Sequence, residues 1–251
     1  MKDQRIFVTG ATAGFGLAIS RRFLAAGARV VATGRRIERL GDLAEEYGDR
    51  LHTVQLDVRD RSAVQQAFDG LPKHFAAITV LVNNAGLGID RGPAFKASLD
   101  DWETMIDTNI KGLLYCTHAS LGGMIDRGKG HVVNIGSVAG RASGPGGAVY
   151  SATKSFVLQF SKNLKSDLIG TAVRTTYIAP GAAETEFSLV RWKGDRQKSD
   201  AAYADYQPLM AEDIAEAVHF AVSMPAHVDI TELELMPQAQ GFGPRIFHRD
   251  A

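Results

Sequence analysis

The chain has 251 residues, 45% of them hydrophobic and 22% charged, with 28 basic side chains balanced by 28 acidic ones. That size and composition suit a globular α/β protein, and the zero formal charge leaves no long-range field to draw in nucleic acid or an anionic membrane. The longest apolar stretches, such as 76–82, fall far short of the roughly 20 residues a transmembrane helix needs.

Met1-Lys-Asp-Gln-Arg5 runs straight into a strand-like segment and leaves no room for the apolar core of a signal peptide, so a cytoplasmic protein is expected. Short apolar runs then alternate with amphipathic stretches. Strands are predicted at 6–8, 29–33, 52–56, 78–82, 131–135, 171–178 and 230–236, and helices over 14–26, 36–47, 60–71, 100–126, 149–168 and 211–223. Strands that read as nearly continuous Val, Ile and Leu predict a parallel sheet covered on both faces. The expected fold is a single Rossmann-type doubly wound α/β domain spanning 1–251, with about seven parallel strands and helices on both sides. One irregular stretch, 181–210, is long for a connection and is expected to form a substrate loop. It would lie beyond the carboxyl ends of the strands, where ligands bind in such sheets. Cys116 is the only cysteine, and the seven histidines show no ligand spacing, so no metal site is expected.

After the first strand comes Thr9-Gly10-Ala-Thr12-Ala-Gly14-Phe15-Gly16, leading into a helix. Glycines there permit a tight turn and close backbone approach to a pyrophosphate, while the helix N-terminus offers unpaired N–H groups. Gly10, Thr12, Gly14, Phe15 and Gly16 are therefore candidate cofactor contacts. The second strand ends Thr33-Gly34-Arg35-Arg36. A guanidinium there pairs with the 2′-phosphate of NADP, whereas a carboxylate would repel it, so Arg35 and Arg36 favour NADP(H) over NAD. The alternative is that they begin a solvated helix. Asp57, followed by Val58 after the third strand, either accepts from the adenine amine or caps a helix.

Farther on, Tyr150-Ser-Ala-Thr-Lys154 places a phenol and an ammonium one helical turn apart. A nearby cation favours the phenolate, and a tyrosine poised near neutral pH can exchange a proton with a carbonyl or alcohol oxygen.

The glycine turn, Asn83-Asn84-Ala85-Gly86, Ser137 and Tyr150-x-x-x-Lys154, in this order and spacing, resemble the short-chain dehydrogenase/reductase family over almost the whole chain. More narrowly, residues 9–16, 33–36, 101–109 and 185–188 are similar to the NADP-dependent 3-hydroxy acid dehydrogenases, including the serine 3-dehydrogenase-like branch. The resemblance implies that Tyr150 is the general acid/base and that Lys154 lowers its pKa and holds the nicotinamide ribose. It further implies that Ser137 orients the substrate oxygen and that the backbone of Asn109 helps hold a water leading from Lys154 to solvent. Asn83, Ala85 and Gly86 would face the adenosine side of the cofactor, and Pro180, Gly181 and Thr185 its nicotinamide side. Ser137, Ala148, Tyr150 and Arg191 are the candidate substrate contacts, with Lys193 and Arg196 as further cations in the loop. The chain departs from the branch where an Asn two residues before the tyrosine is Ala148 and a Glu before Pro-Gly is Ala179. Gly88-Ile89-Asp90 and the tail Gly241–Arg245 differ as well. The expected reaction is NADP(H)-linked oxidoreduction of a small 3-hydroxy acid or related anionic aldehyde. The alternatives are a sugar-derived or neutral carbonyl substrate, or a non-catalytic NADPH-binding sensor. A homotetramer is implied, built through the long helices and last strand, with the aromatic tail Phe242 to Phe247 packing between subunits.

Overall fold

Alternate side chains of a strand go to opposite faces of its sheet, and in this protein both faces are apolar. The computed structural model describes residues 1–89, 92–142, 144–242 and 246–248. Its strands are β1 (Arg5–Val8), β2 (Arg29–Gly34), β3 (Leu51–Gln55), β4 (Val80–Asn83), β5 (Gly130–Ile135), β6 (Val173–Pro180) and β7 (Glu232–Leu235). They form one sheet in the order β3-β2-β1-β4-β5-β6-β7, and every pairing is parallel. Ile6, Val8, Val30, Ala32, Val80, Val82, Val133 and Ile135 enter one core, while Phe7, Val31, Leu81 and Val132 enter a second. This period-two split, apolar on both sides, requires helices on both sides.

Those helices are α1 (Gly14–Ala25), α2 (Gly41–Tyr47), α3 (Arg61–Asp69), α4 (Lys73–Ala76), α5 (Leu99–Ile106), α6 (Leu113–Asp126), α7 (Ala148–Asp167), α8 (Glu186–Arg191), α9 (Arg196–Ala201) and α10 (Ala211–Ser223). Ile19, Phe23 and Leu24 of α1 meet Ile214, Val218 and Val222 of α10 in the first core. Val64 of α3, Cys116 and Met124 of α6 and Leu164 of α7 fill the second. Each of the Val, Leu, Ile, Phe and Met side chains among them contributes about 1.5–3 kcal/mol by leaving water.

Three predicted segments differ by more than shifts of one or two residues at their ends. The helix expected over 100–126 is α5 and α6 joined by a π-helical segment, Asp107–Gly112. The helix expected from 36 begins as a 3-10 turn, Ile37–Leu40. The stretch 181–210 is not irregular throughout, because it folds into α8 and α9. Strand order reverses between β1 and β4, so the turns after those strands diverge and open a cleft at the carboxyl edge. No helix among the described residues is long and apolar enough to cross a membrane.

Candidate active site

A cavity of about 1010 Å³ occupies that edge. One end is the glycine turn. Gly10 and Gly14 hold left-handed backbone at φ +66° and +50°, a conformation glycine adopts without the steric cost a Cβ brings. They line the cavity with Thr12, Ala13 and Phe15. Gly16 lies behind it: a Cβ there would stand 2.3 Å from the Gly10 carbonyl oxygen, so this glycine permits close packing and does not face a ligand. The first turn of α1 holds no acidic residue, which keeps its positive end open to phosphate.

Asn84 secures the turn, its Nδ2 donating to the carbonyls of Thr9 at 2.9 Å and Gly10 at 3.1 Å. The expectation for Asn83 is corrected here. It belongs to β4, where its side chain is buried and donates to Thr117 Oγ1 and Asn134 Oδ1, both at 2.9 Å. The cavity wall is formed by Asn84, Ala85 and Gly86.

Arg35 and Arg36 both reach the rim. Arg36 Nη2 donates to Glu186 Oε2 at 3.0 Å, and Arg39 Nη1 donates to both oxygens of the same carboxylate at 2.7 and 2.8 Å. Burial works against that carboxylate, yet the bonds from Arg39 and Arg36 hold it below the usual range. Glu186 opens α8, so the loop helix is tied to the end of β2. Asp57 and Val58 line the same end. Asp57 is not a helix cap: it binds Arg59, which pulls its carboxyl below the ordinary range, while Asp60 caps α3 by accepting from Ala63 N–H at 3.0 Å.

The other end holds Ser137, Tyr150 and Lys154. Lys154 is buried, donates to the Ile135 carbonyl at 2.9 Å, and places its ammonium 5.9 Å from the centre of the Tyr150 ring. Burial pushes its pKa down, Tyr150 opposes that, and the Arg191 cation adds to it. Ser137 Oγ accepts from Ala139 N–H at 3.1 Å, starting the turn Val138–Gly140.

Asn109 sits in the π-helical segment and does not line the cavity. Its amide bonds Leu87 in both directions at 2.8 Å and donates to Thr153 Oγ1 at 3.0 Å. It thus joins the loop after β4 to the turn of α7 that carries Lys154. π segments interrupt regular helical pairing, often at functional sites.

Pro180, Gly181 and Thr185 line the floor. Thr185 caps α8, accepting from Phe187 N–H at 3.3 Å, and a Cβ on Gly14 would meet the Thr185 Cβ at 3.3 Å. Arg191 lies over Tyr150 at 4.9 Å and over Phe187 at 4.6 Å from the ring centres, cation–π distances. No carboxylate pairs with its guanidinium among the described residues. Lys193 instead binds Asp101 at 2.6 Å, and neither it nor Arg196 lines the cavity. Ala148 is displaced from its expected role, being exposed beside a separate small pocket with Trp102 and Met105. Ala179 is fully buried in a core with Leu113 and Val157. Carboxylates near that wall come from β7, where Glu232 and Glu234 both pair with Arg141.

Sequence reasoning missed Phe187, Trp192, Tyr203, Tyr206, Gln240 and Phe247 on the walls. Gln240 Oε1 accepts from Ala182 N–H at 2.8 Å, a contact 58 positions apart with no local signal. Phe247 packs on Tyr206 at 4.8 Å, so this part of the tail folds onto its own chain, while Phe242 is exposed. Asp90, Gly243, Pro244 and Arg245 lie outside the described residues.

The glycine cradle, open helix terminus and rim arginines fit an NADP-type dinucleotide, and the comparisons agree. Residues 4–195 match the short chain dehydrogenase family. The chain is 54% identical to the NADP-dependent 3-hydroxy acid dehydrogenase YdfG of Escherichia coli strain K12, covering 97% of this chain and 99% of that protein. It is 52% identical to sulfoacetaldehyde reductase 2 of Chromohalobacter salexigens, covering 98% of each. The closed form of a serine dehydrogenase complexed with NADP+ superposes with a TM-score of 0.94 at 53% identity, covering 98% of this chain and 99% of that one.

Proposed function

The chain belongs to the short-chain dehydrogenase family and is an NADP-dependent oxidoreductase, and within that chemistry we propose that it acts on a small 3-hydroxy acid or the related anionic aldehyde. The observation that carries this substrate class is Arg191, a cavity-lining guanidinium stacked on Tyr150 and unpaired by any carboxylate among the described residues. A planar guanidinium binds a two-oxygen anion through paired hydrogen bonds. The relatives named for 3-hydroxy acids and for sulfoacetaldehyde handle substrates of that kind.

The glycine turn, Arg35, Arg36, Asp57, Val58, Ala85, Gly86, Pro180, Gly181 and Thr185 would hold the cofactor, which when bound exchanges hydride at its nicotinamide. Tyr150 removes the proton from the substrate hydroxyl in oxidation and returns it to the carbonyl oxygen in reduction. Ser137 hydrogen-bonds that oxygen and fixes its direction. Lys154 supplies positive charge behind Tyr150, and Asn109 holds the Leu87 loop and Thr153 around it. One catalytic domain carries all of this, with 181–210 as its substrate loop. The same reading places the protein in the cytoplasm and makes it a homotetramer, the assembly being supported by exposed Leu99, Ile106 and Ile125 on α5 and α6.

The test compares NADP-linked oxidation of 3-hydroxypropionate, 3-hydroxyisobutyrate, L-serine and L-allo-threonine with reduction of sulfonated aldehydes and neutral ketones, in the parent and in Arg191→Gln. Loss of a charge-assisted contact worth about 1.5–3 kcal/mol should raise KM for anionic substrates roughly 10- to 150-fold and leave neutral ones unmoved. Turnover confined to neutral ketones would refute the reading.

A further inference from the structure

Ser137 stands where β5 leaves the sheet. Gly136 still donates to the Ile178 carbonyl at 2.7 Å, but Pro180, farther along β6, has no N–H with which to continue the ladder. Ser137, the next residue, lies past the last paired residue of β5, Ile135, in an extended conformation, φ −173° and ψ 154°. Its backbone groups still need partners in a half-buried place.

One side chain meets both needs. The Tyr177 hydroxyl accepts from Ser137 N–H at 3.1 Å and donates to Ser137 C=O at 2.9 Å. Tyr177 itself is 0% exposed, on β6, in the core with Leu113, Val157 and Ala179. The preceding residue is shaped to admit it. A Cβ on Gly136 would lie 2.0, 2.1 and 2.3 Å from Tyr177 Cε2, Cζ and Oη, so only glycine leaves room for the ring.

We propose that Tyr177 is a positioning residue for the reaction, its hydroxyl clamping both backbone groups of Ser137 and so aiming the serine Oγ toward the substrate oxygen. The inference rests on the reading of Ser137 as the group that orients that oxygen. The clamp does not come and go with pH in the working range, because burial pushes the Tyr177 hydroxyl up to about 12 and keeps its proton in place. With the backbone held on both sides and Ala139 N–H donating to Oγ, little freedom remains to the serine side chain. Misplacement by about 1 Å of a group that orients substrate costs up to roughly 100-fold in rate.

A double-mutant cycle on the full-length enzyme tests this. Tyr177→Phe, Ser137→Ala and the double variant are compared for kcat, substrate KM, NADPH Kd and thermal midpoint, with assays run below the midpoint of each NADP-saturated protein. Tyr177→Phe should lower kcat roughly 10- to 100-fold with substrate KM and NADPH Kd within about twofold of the parent, and should cost nothing further once Ser137 is alanine. Full turnover by Tyr177→Phe, or the same loss with and without Ser137, overturns the clamp. Failure of Tyr177→Phe to fold with NADP bound also overturns it, since the hydroxyl would then serve stability. Parental turnover by Ser137→Ala alone would instead remove the serine's own role, and the clamp's purpose with it.

Discussion

Arg36→Ala should weaken NADPH binding roughly 2- to 110-fold while leaving NADH within about twofold. A charge-assisted hydrogen bond such as one from a guanidinium to the 2′-phosphate contributes about 1.5–3 kcal/mol. Arg36 already pairs with Glu186 at 3.0 Å, but the two side chains are 45% and 44% exposed, and ion pairs that open contribute about 0.2–1 kcal/mol. Displacing that pair leaves a net contribution of about 0.5–2.8 kcal/mol from Arg36 to NADPH binding. Glu186 keeps Arg39 through contacts at 2.7 and 2.8 Å, so α8 stays anchored when Arg36 turns to the phosphate. Titrations following cofactor fluorescence, at two ionic strengths, read the effect, and the difference between parent and variant should shrink with salt as the charges are screened. Equal weakening of NADPH and NADH, or an unchanged NADPH affinity, would refute the assignment of Arg36.

Tyr150→Phe is expected to lower kcat by at least about two orders of magnitude, the usual scale for a lost acid/base group, with NADPH affinity unchanged; near-normal turnover in a steady-state assay would remove Tyr150 from its role. His131 gives a stability signature. Its pKa is pushed down to about 3 by burial, with Arg174 adding to the effect, so unfolding takes up a proton wherever the pH lies between about 3 and 6.5. Stability is then complete above about pH 6.5 and falls as the pH drops, by about 2 kcal/mol at pH 5. In urea melts from pH 7 to 4, His131→Gln should flatten this slope even if it lowers stability at neutral pH, and parallel curves for parent and variant would contradict the assignment.

The sheet was legible because burial on both faces writes itself into single strands. Ile6-Phe7-Val8 is apolar at every position, and the two cores each take alternate members of it. The glycine turn and the Tyr150–Lys154 pair were legible for a related reason, since their chemistry depends on spacings of a few residues that a helix or turn fixes locally. Asn83 and Asn84 show where such reasoning stops. Consecutive strand side chains point oppositely, and which asparagine faces the cleft depends on where β4 ends, a choice made by its pairing with β1 and β5. With Asn83 still paired to Asn134, its side chain stays in the core and Asn84 is the first to leave.

Contacts between distant segments were opaque for a different reason. Arg36 and Glu186 are 150 positions apart and Ser137 and Tyr177 are 40 apart, so each member alone reads as a surface charge or an ordinary strand residue. Tyr177 is informative only beside Gly136, whose missing Cβ is a space matched to a ring on the neighbouring strand. The residues that the local pattern does identify are those that perform the chemistry, whereas the residues that hold them in place are drawn from wherever the fold brings a side chain within reach. A substitution at such a supporting position should therefore register first in kcat, through the geometry of Ser137 or Lys154, before it registers in whether the chain folds.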